Sequence, residues 1–232
     1  MVGIIAALDI ELALLRQNLE NEQAHTISGR IYYQGKLCGQ EVVLAVCGVG
    51  KVNAAVCAQT MCLEYAVSLI INTGVAGALA EGLGVGDVVV GTSAVQHDMD
   101  VTDIDIGDPP GLLIVAGERM VNLPCDARAA DRLSQLAHAS GVHVMLGTVA
   151  TGDQFIHDAA RKAWVLETFG AACCEMEGGA IAQVCAANGV RCAIVRAISD
   201  TAEGGAAVDF AQFAPKAAEI GASVVQDFLA VP

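Results

Sequence analysis

Carboxylates that follow apolar runs are the side chains of this sequence best placed to do chemistry. Glu11 lies just past Gly3-Ile-Ile-Ala-Ala-Leu8, Glu175-Met-Glu177 follows Ala171-Ala-Cys-Cys174, and Ser199-Asp200 follows Arg196-Ala-Ile198. Burial is expected there and charge is expensive, so acids at such positions serve either the fold or a reaction. Alone, Glu177 reads as a helix-N-terminal acid favoured by the macrodipole, and Asp200 as an N-cap or turn residue. With Glu11 they put three acids at three strand ends, an arrangement suited to general acid–base chemistry or to hydroxyl recognition. Phe155, in the polar turn Asp153-Gln-Phe-Ile156, reads either as core or as a ring that stacks on a planar ligand.

Other chemistries fit less well. Gly48-Val-Gly-Lys51 resembles a phosphate loop, but Ala45 and Val52 stand where such a loop needs glycine and Ser/Thr. The third glycine of a dinucleotide fingerprint would fall at Asn53, so a tight strand-to-helix turn is the better reading. The nine cysteines form no CxxC pair and sit mostly in apolar runs, while the five histidines are scattered. Buried free thiols in a reducing compartment are expected, and neither a metal nor a cofactor is expected.

The elements that must hold these acids alternate. Apolar strands are expected over Gly3–Leu8, Val67–Asn72, Val85–Gln96, His143–Ala150, Ala171–Glu175 and Arg191–Ser199, with a hairpin of Ile31–Gln34 and Glu41–Val46. Helices are expected over Ile10–Leu19 (Asp9 as N-cap), Val52–Tyr65, Ala127–Ser140, Asp158–Phe169, Gly178–Asn188 and Phe210–Ala230. Asp98–Gly111, acidic and carrying Pro109-Pro110, reads as an exposed loop. This alternation calls for a mainly parallel sheet with helices on both faces and ligands at the carboxyl ends of strands. No linker or repeat interrupts it, so residues 1–232 are expected to form one domain.

The chain has 54% apolar and 16% charged residues, which excludes disorder. Lys+Arg number 12 against 26 Asp+Glu, a net charge of −14, so nucleic acid and anionic membrane surfaces are poor partners. The N-terminus has no basic region, and no apolar run reaches the roughly 18 residues of a membrane span. A cytoplasmic location is expected.

The motifs Gly3-Ile-Ile-Ala-Ala-Leu-Asp-Ile-Glu11, Gly48-Val-Gly-Lys-Val52, Ile71-Asn-Thr-Gly-Val-Ala-Gly77, Val85-Gly-Asp87, His97-Asp-Met-Asp-Val-Thr102, Thr151-Gly-Asp-Gln-Phe-Ile156, Glu175-Met-Glu177 and Arg196-Ala-Ile-Ser-Asp200 run in order along nearly the whole chain. Together they resemble the bacterial 5′-methylthioadenosine/S-adenosylhomocysteine nucleosidases of the purine-nucleoside-phosphorylase-like superfamily. The resemblance implies a three-layer α/β/α sandwich around a mixed, partly barrel-like sheet, usually a homodimer, and hydrolysis of the N-glycosidic bond in methionine salvage. It implies that Asp200 is the general acid at purine N7 and that Glu11 orients and deprotonates the attacking water. Glu177 would bind the ribose hydroxyls, with Met176 against the sugar and Arg196 near the water. Phe155 would stack on the purine, the Ile156 backbone would meet its edge, and Gly77 would belong to the binding loop. Val49 and Met176 would line the 5′ pocket, which Val101, Ile104 and Pro110 of a partner subunit would complete. Ser199 and Val75 would flank the acid and the base.

Such chemistry leaves negative charge on the purine and an oxocarbenium-like sugar, so an acid at N7 and a carboxylate near the sugar both favour the transition state. To hold its proton near pH 7, Asp200 needs burial or neighbouring carboxylates. Two departures stand out: Val75 replaces the serine common in the family, and Asp103–Gly111 is shorter than in familiar members. A phosphorylase on the same fold would place arginines in the first turn and before the third-strand Gly-Ser; here Asp9, Glu11 and Asn72 occupy those places. Aminodeoxyfutalosine hydrolysis uses the same machinery and stays open, whereas Glu11, Glu177 and Asp200 argue against a nucleoside-binding protein without activity, which would gain little from a buried acid.

Overall fold

Short runs of Val, Ile, Leu and Ala, buried on both faces, build the central layer. The computed structural model describes residues 1–104, 107–200 and 206–231. Its first half runs β1 (Val2–Ala6), α1 (Asp9–Gln17), β2 (Glu20–Ile27), β3 (Arg30–Leu37), β4 (Gln40–Val46), α2 (Lys51–Glu64), β5 (Leu69–Ala78) and β6 (Val88–Gln96). Three short strands follow, β7 (Leu113–Val115), β8 (Glu118–Met120) and β9 (Leu123–Pro124). The chain then continues as α3 (Ala127–Ala139), β10 (Val144–Thr151), α4 (Ala159–Phe169), β11 (Ala171–Glu175), α5 (Gly178–Asn188), β12 (Arg191–Asp200) and α6 (Ala206–Ala230).

The main sheet is ordered β11-β10-β6-β12-β5-β1-β4-β3-β2, with β9 attached to β6. Because β11 also pairs with β5, the strands β11, β10, β6, β12 and β5 close into a barrel from which the others extend. Parallel pairs (β1 with β4 and β5, β12 with β5, β10 with β6 and β11) mix with antiparallel ones at β11–β5 and β12–β6. The sheet is therefore the mixed, partly barrel-like one that the resemblance implies. Helices α2 and α5 cover one face around Met61 and Ile181, and α1, α3 and α6 cover the other around Leu15, Leu133 and Val225. Helix α4 closes a smaller cluster with Val165 and Ile156.

Barrel closure brings the chemistry-bearing ends together. Gly77 of β5 pairs with Cys174 of β11 on one side and with Asp200 of β12 on the other. Two caps set helix starts as their sequences suggest: Asp126 accepts from Ala129 N and Asp158 from Arg161 N, each at 2.8 Å.

Some expectations need correction. Strand β5 does not stop at Asn72 but runs to Ala78 with every residue buried, so Thr73–Gly77 is strand rather than turn. Asp9 is not the N-cap of α1; that place belongs to Leu8, and Asp9 lies in the first turn. Strand β2, Glu-Asn-Glu-Gln-Ala-His-Thr-Ile, was not expected because it lacks apolar alternation; it is an exposed edge strand held by its ladder to β3. Val85–Asp87 is a turn ahead of β6, closed by Gly84 N donating to Asp87 Oδ2 at 2.7 Å.

Candidate active site

Glu11 sits one turn into α1, buried, and faces back toward the helix start. Its Oε2 accepts from Ala7 N and Leu8 N at 2.9 Å, satisfying helix-terminal donors that would otherwise lack partners. Its Oε1 accepts from Val75 N at 3.0 Å, tying α1 to β5. Burial pushes the Glu11 carboxyl up, against the Arg196 charge and the three N–H donors that pull it down. Strand β5 has to be bare here. A Cβ at Gly74 would lie 2.6 Å from Glu11 Oε1 and against Arg196 Nη1.

Arg196 is wholly buried in β12 and acts as the hub behind the acids. Its Nη2 donates to Asn72 Oδ1 and to Glu175 Oε2, and lies 3.8 Å from Glu177 Oε2. Burial disfavours its charge, but Glu175, Glu177 and Glu11 outweigh that and hold the guanidinium above its ordinary value. Glu175 also accepts from Thr151 Oγ1, from Glu177 N at 3.0 Å and from Gly178 N at 2.8 Å, so it anchors the start of α5. That anchor fixes the next acid. Glu177 Oε1 accepts from Gly50 N at 2.9 Å. Burial first, then the Glu175 charge, pushes the Glu177 carboxyl up to about 7, despite Arg196 and the Gly50 donor.

Asp200, at the end of β12, is 2% exposed. Ser199 Oγ donates to its Oδ1 at 3.0 Å, and Lys162 Nζ from α4 stands 3.5 Å from its Oδ2. A Cβ at Gly77 would lie 2.9 Å from the same Oδ2, so a glycine there keeps room for the acid.

Glu11, Glu175, Glu177 and Asp200 border one cavity of about 300 Å³. Of the residues expected from the sequence, Glu11, Val49, Val75, Gly77, Phe155, Met176, Glu177, Ser199 and Asp200 all line it. Ile156 is buried and lines a small adjoining cavity with Phe155 and Asp200. Arg196 does not line the cavity and reaches it through Glu175 and Glu177. Val101, Ile104 and Pro110 do not line it either, and Ile104 is 85% exposed. Phe155 is half exposed at the cavity rim. No described lining residue is cationic. Two donors of the Gly48–Lys51 turn serve protein carboxylates: Gly50 N donates to Glu177 and Lys51 N to Asp153 Oδ1 at 2.7 Å. Among the described residues no group of three or more His, Cys, Asp or Glu is placed to hold a metal ion.

The family profile described as the phosphorylase superfamily matches residues 1–230. The 5′-methylthioadenosine/S-adenosylhomocysteine nucleosidase of Anoxybacillus flavithermus is 39% identical over 233 residues, covering 97% of this chain and 96% of that one. Its counterpart from Shewanella halifaxensis is 37% identical over 227 residues, with the same coverage. The chain belongs to this nucleosidase family. Among solved structures, the Neisseria meningitidis nucleosidase in complex with methylthio-immucillin-A superposes with a TM-score of 0.92 at 34% identity, covering 100% of this chain and 99% of that one. The futalosine hydrolase of Helicobacter pylori superposes with a TM-score of 0.91 at 28% identity, covering 98% and 96%.

Within this nucleosidase fold the sequence reading missed three supporting residues. Glu175 was seen only as part of a motif, yet it is the buried partner of Arg196. Thr151 joins Glu175 to Gly179 N, which donates to it at 2.6 Å. Lys162 lies three residues before Val165 on the buried side of α4, a placement that only the packing of the helix reveals.

Proposed function

We propose that the chain hydrolyses the N-glycosidic bond of 5′-methylthioadenosine and S-adenosylhomocysteine, releasing adenine and the 5-thio-sugar. The observation that carries this reading is the convergence of Glu11, Glu177 and Asp200 on one cavity with Phe155 at its rim. Relatives at 37–39% identity bear the name of this activity. Asp200 protonates N7 as the C1′–N9 bond breaks, so the purine leaves neutral. Glu177 holds the ribose hydroxyls and favours the cationic sugar. Glu11, fixed by three backbone donors, orients water and takes its proton. Phe155 stacks on the purine beside the Ile156 backbone, while Val49 and Met176 take the 5′ group. Val75, in place of the family's common serine, serves through its amide, which donates to Glu11. An attacking phosphate would meet carboxylates and no lining cation, which favours water.

A homodimer completes the site in this reading. Val52 and Leu63 on α2 are 74% and 69% exposed, an apolar surface suited to a second copy. Val101, Ile104 and Pro110, absent from this subunit's own cavity, would line the partner's. No described helix is long and apolar enough to cross a membrane.

A substrate panel tests the proposal. Adenine release from methylthioadenosine should exceed that from adenosine by about 10-fold or more in kcat/KM, since burying the methylthio group against Val49 and Met176 is worth roughly 1–2 kcal/mol. Aminodeoxyfutalosine belongs in the panel because a futalosine hydrolase shares the fold. Its turnover in preference to both thio-nucleosides would contradict the assignment.

A further inference from the structure

We propose that Lys162 is a positioning residue for the reaction: its buried ammonium holds the Asp200 carboxyl in place and stabilises the carboxylate left once the proton has gone to the purine. This deepens the proposed hydrolysis and rests on Asp200 being its acid. Lys162 is 3% exposed and is the only lysine among the described buried residues. It occupies the core-facing side of α4 with Val165, where an aliphatic residue would cost less. An ammonium persists in such a place only when paired, and its partner 3.5 Å away is Asp200 Oδ2.

The surroundings of Asp200 define what the pair does. Ser199 donates to Oδ1, leaving the Lys162 side at Oδ2. The Cys174 thiol on β11 lies in the field of both members. Burial pushes that thiol up to about 12; Lys162 lowers it, and Asp200 and Glu175 raise it. Glu11 from α1 and Glu175 and Glu177 from β11 and the start of α5 border the same cavity. The Arg196 guanidinium of β12 is engaged by Glu175 and Asn72. The carboxylates that share this cavity favour the protonated acid, and Lys162, 3.5 Å from Asp200 Oδ2, opposes them by favouring the ionised form.

The proton count closes. Asp200 gives its proton to N7 as C1′–N9 breaks, water adds to C1′ and gives its proton to Glu11, and the two carboxyls re-equilibrate with solvent after the products leave. The Lys162 ammonium beside Oδ2 makes Asp200 a stronger acid that empties sooner as pH rises.

The test compares pH profiles of kcat/KM for methylthioadenosine in the wild type, Lys162→Met, Lys162→Gln and Lys162→Arg. The alkaline limb should move up by about one pH unit or more in the two neutral variants and stay near the wild type in Lys162→Arg. Activity falling equally at all pH values, with the limb unmoved, would overturn the proposal. Melting temperatures give a readout independent of turnover. Measured at a pH above the alkaline limb, where Asp200 is ionised, Asp200→Asn removes the counter-charge 3.5 Å from the ammonium and should lower Tm by about 6 °C or more, and adding Lys162→Met should restore most of it. Additive effects of the two substitutions would also overturn the proposal. Thermal coupling without any adenine release would overturn the hydrolase reading, and the catalytic role of Lys162 with it, while leaving the ion pair standing.

Discussion

Glu177 shows how one side chain is pulled in two directions by its place in the site. Its carboxyl is pushed up to about 7 by burial and by Glu175, from an ordinary 4.5. Between those values the folded chain holds a proton that the unfolded chain has released, so stability falls as pH rises through that window. Ribose binding in the proposed mechanism needs the ionised form, so kcat/KM should fall as pH drops below about 7. Activity and thermal stability should therefore change in opposite directions across this range. Glu177→Gln should flatten the stability trend and remove most activity, as read by melting curves and initial rates against pH. A wild type whose Tm rises steadily from pH 5 to 7, with Glu177→Gln following the same curve, would contradict this account. At this scale Glu11, Glu177 and Asp200 were legible because acids after apolar runs are rare and costly. Lys162 and Glu175 were not, because their meaning lies in partners 38 and 21 positions away, Asp200 and Arg196.

Strand β5 is the element on which the site depends. It lies between β1 and β12 and continues far enough for β11 to pair with its end. Its small residues looked like a turn in the sequence, since Thr-Gly-Val-Ala-Gly carries little strand propensity. The structure gives them another reason: Glu11 and Arg196 crowd Gly74, and Asp200 crowds Gly77. Periodicity reports how a segment packs on average and says nothing of side chains arriving from α1 and β12, so the strand end was lost to the sequence reading. The same limit hid β2, which no apolar pattern marks. Gly74→Ala should leave the sheet formed but displace Glu11 and Arg196, with kcat lower by about 100-fold and a stability cost of roughly 1–3 kcal/mol. Circular dichroism, Tm and turnover check this together, and a variant with wild-type kcat would show that the crowding is relieved at no cost to the site.

At the scale of the whole molecule, barrel closure and charge act together. Five strands closing on themselves bring Gly77, Glu175 and Asp200 to one end, while a net charge of −14 surrounds a cavity with no described cationic lining. Neutral nucleosides suit such a cavity better than phosphorylated ones. The proposed homodimer, paired through the apolar surface of α2 with Val101, Ile104 and Pro110 reaching the partner's site, predicts a dimer in sedimentation, and a fully active monomer at assay concentration would refute that assembly. The central claim is that water, and not phosphate, takes the purine's place at C1′. It is tested most directly by identifying the sugar released from methylthioadenosine by the pure chain, with and without millimolar phosphate. The account predicts free methylthioribose and adenine in equal amounts at the same rate in both; methylthioribose 1-phosphate formed at a rate that rises with phosphate would contradict it.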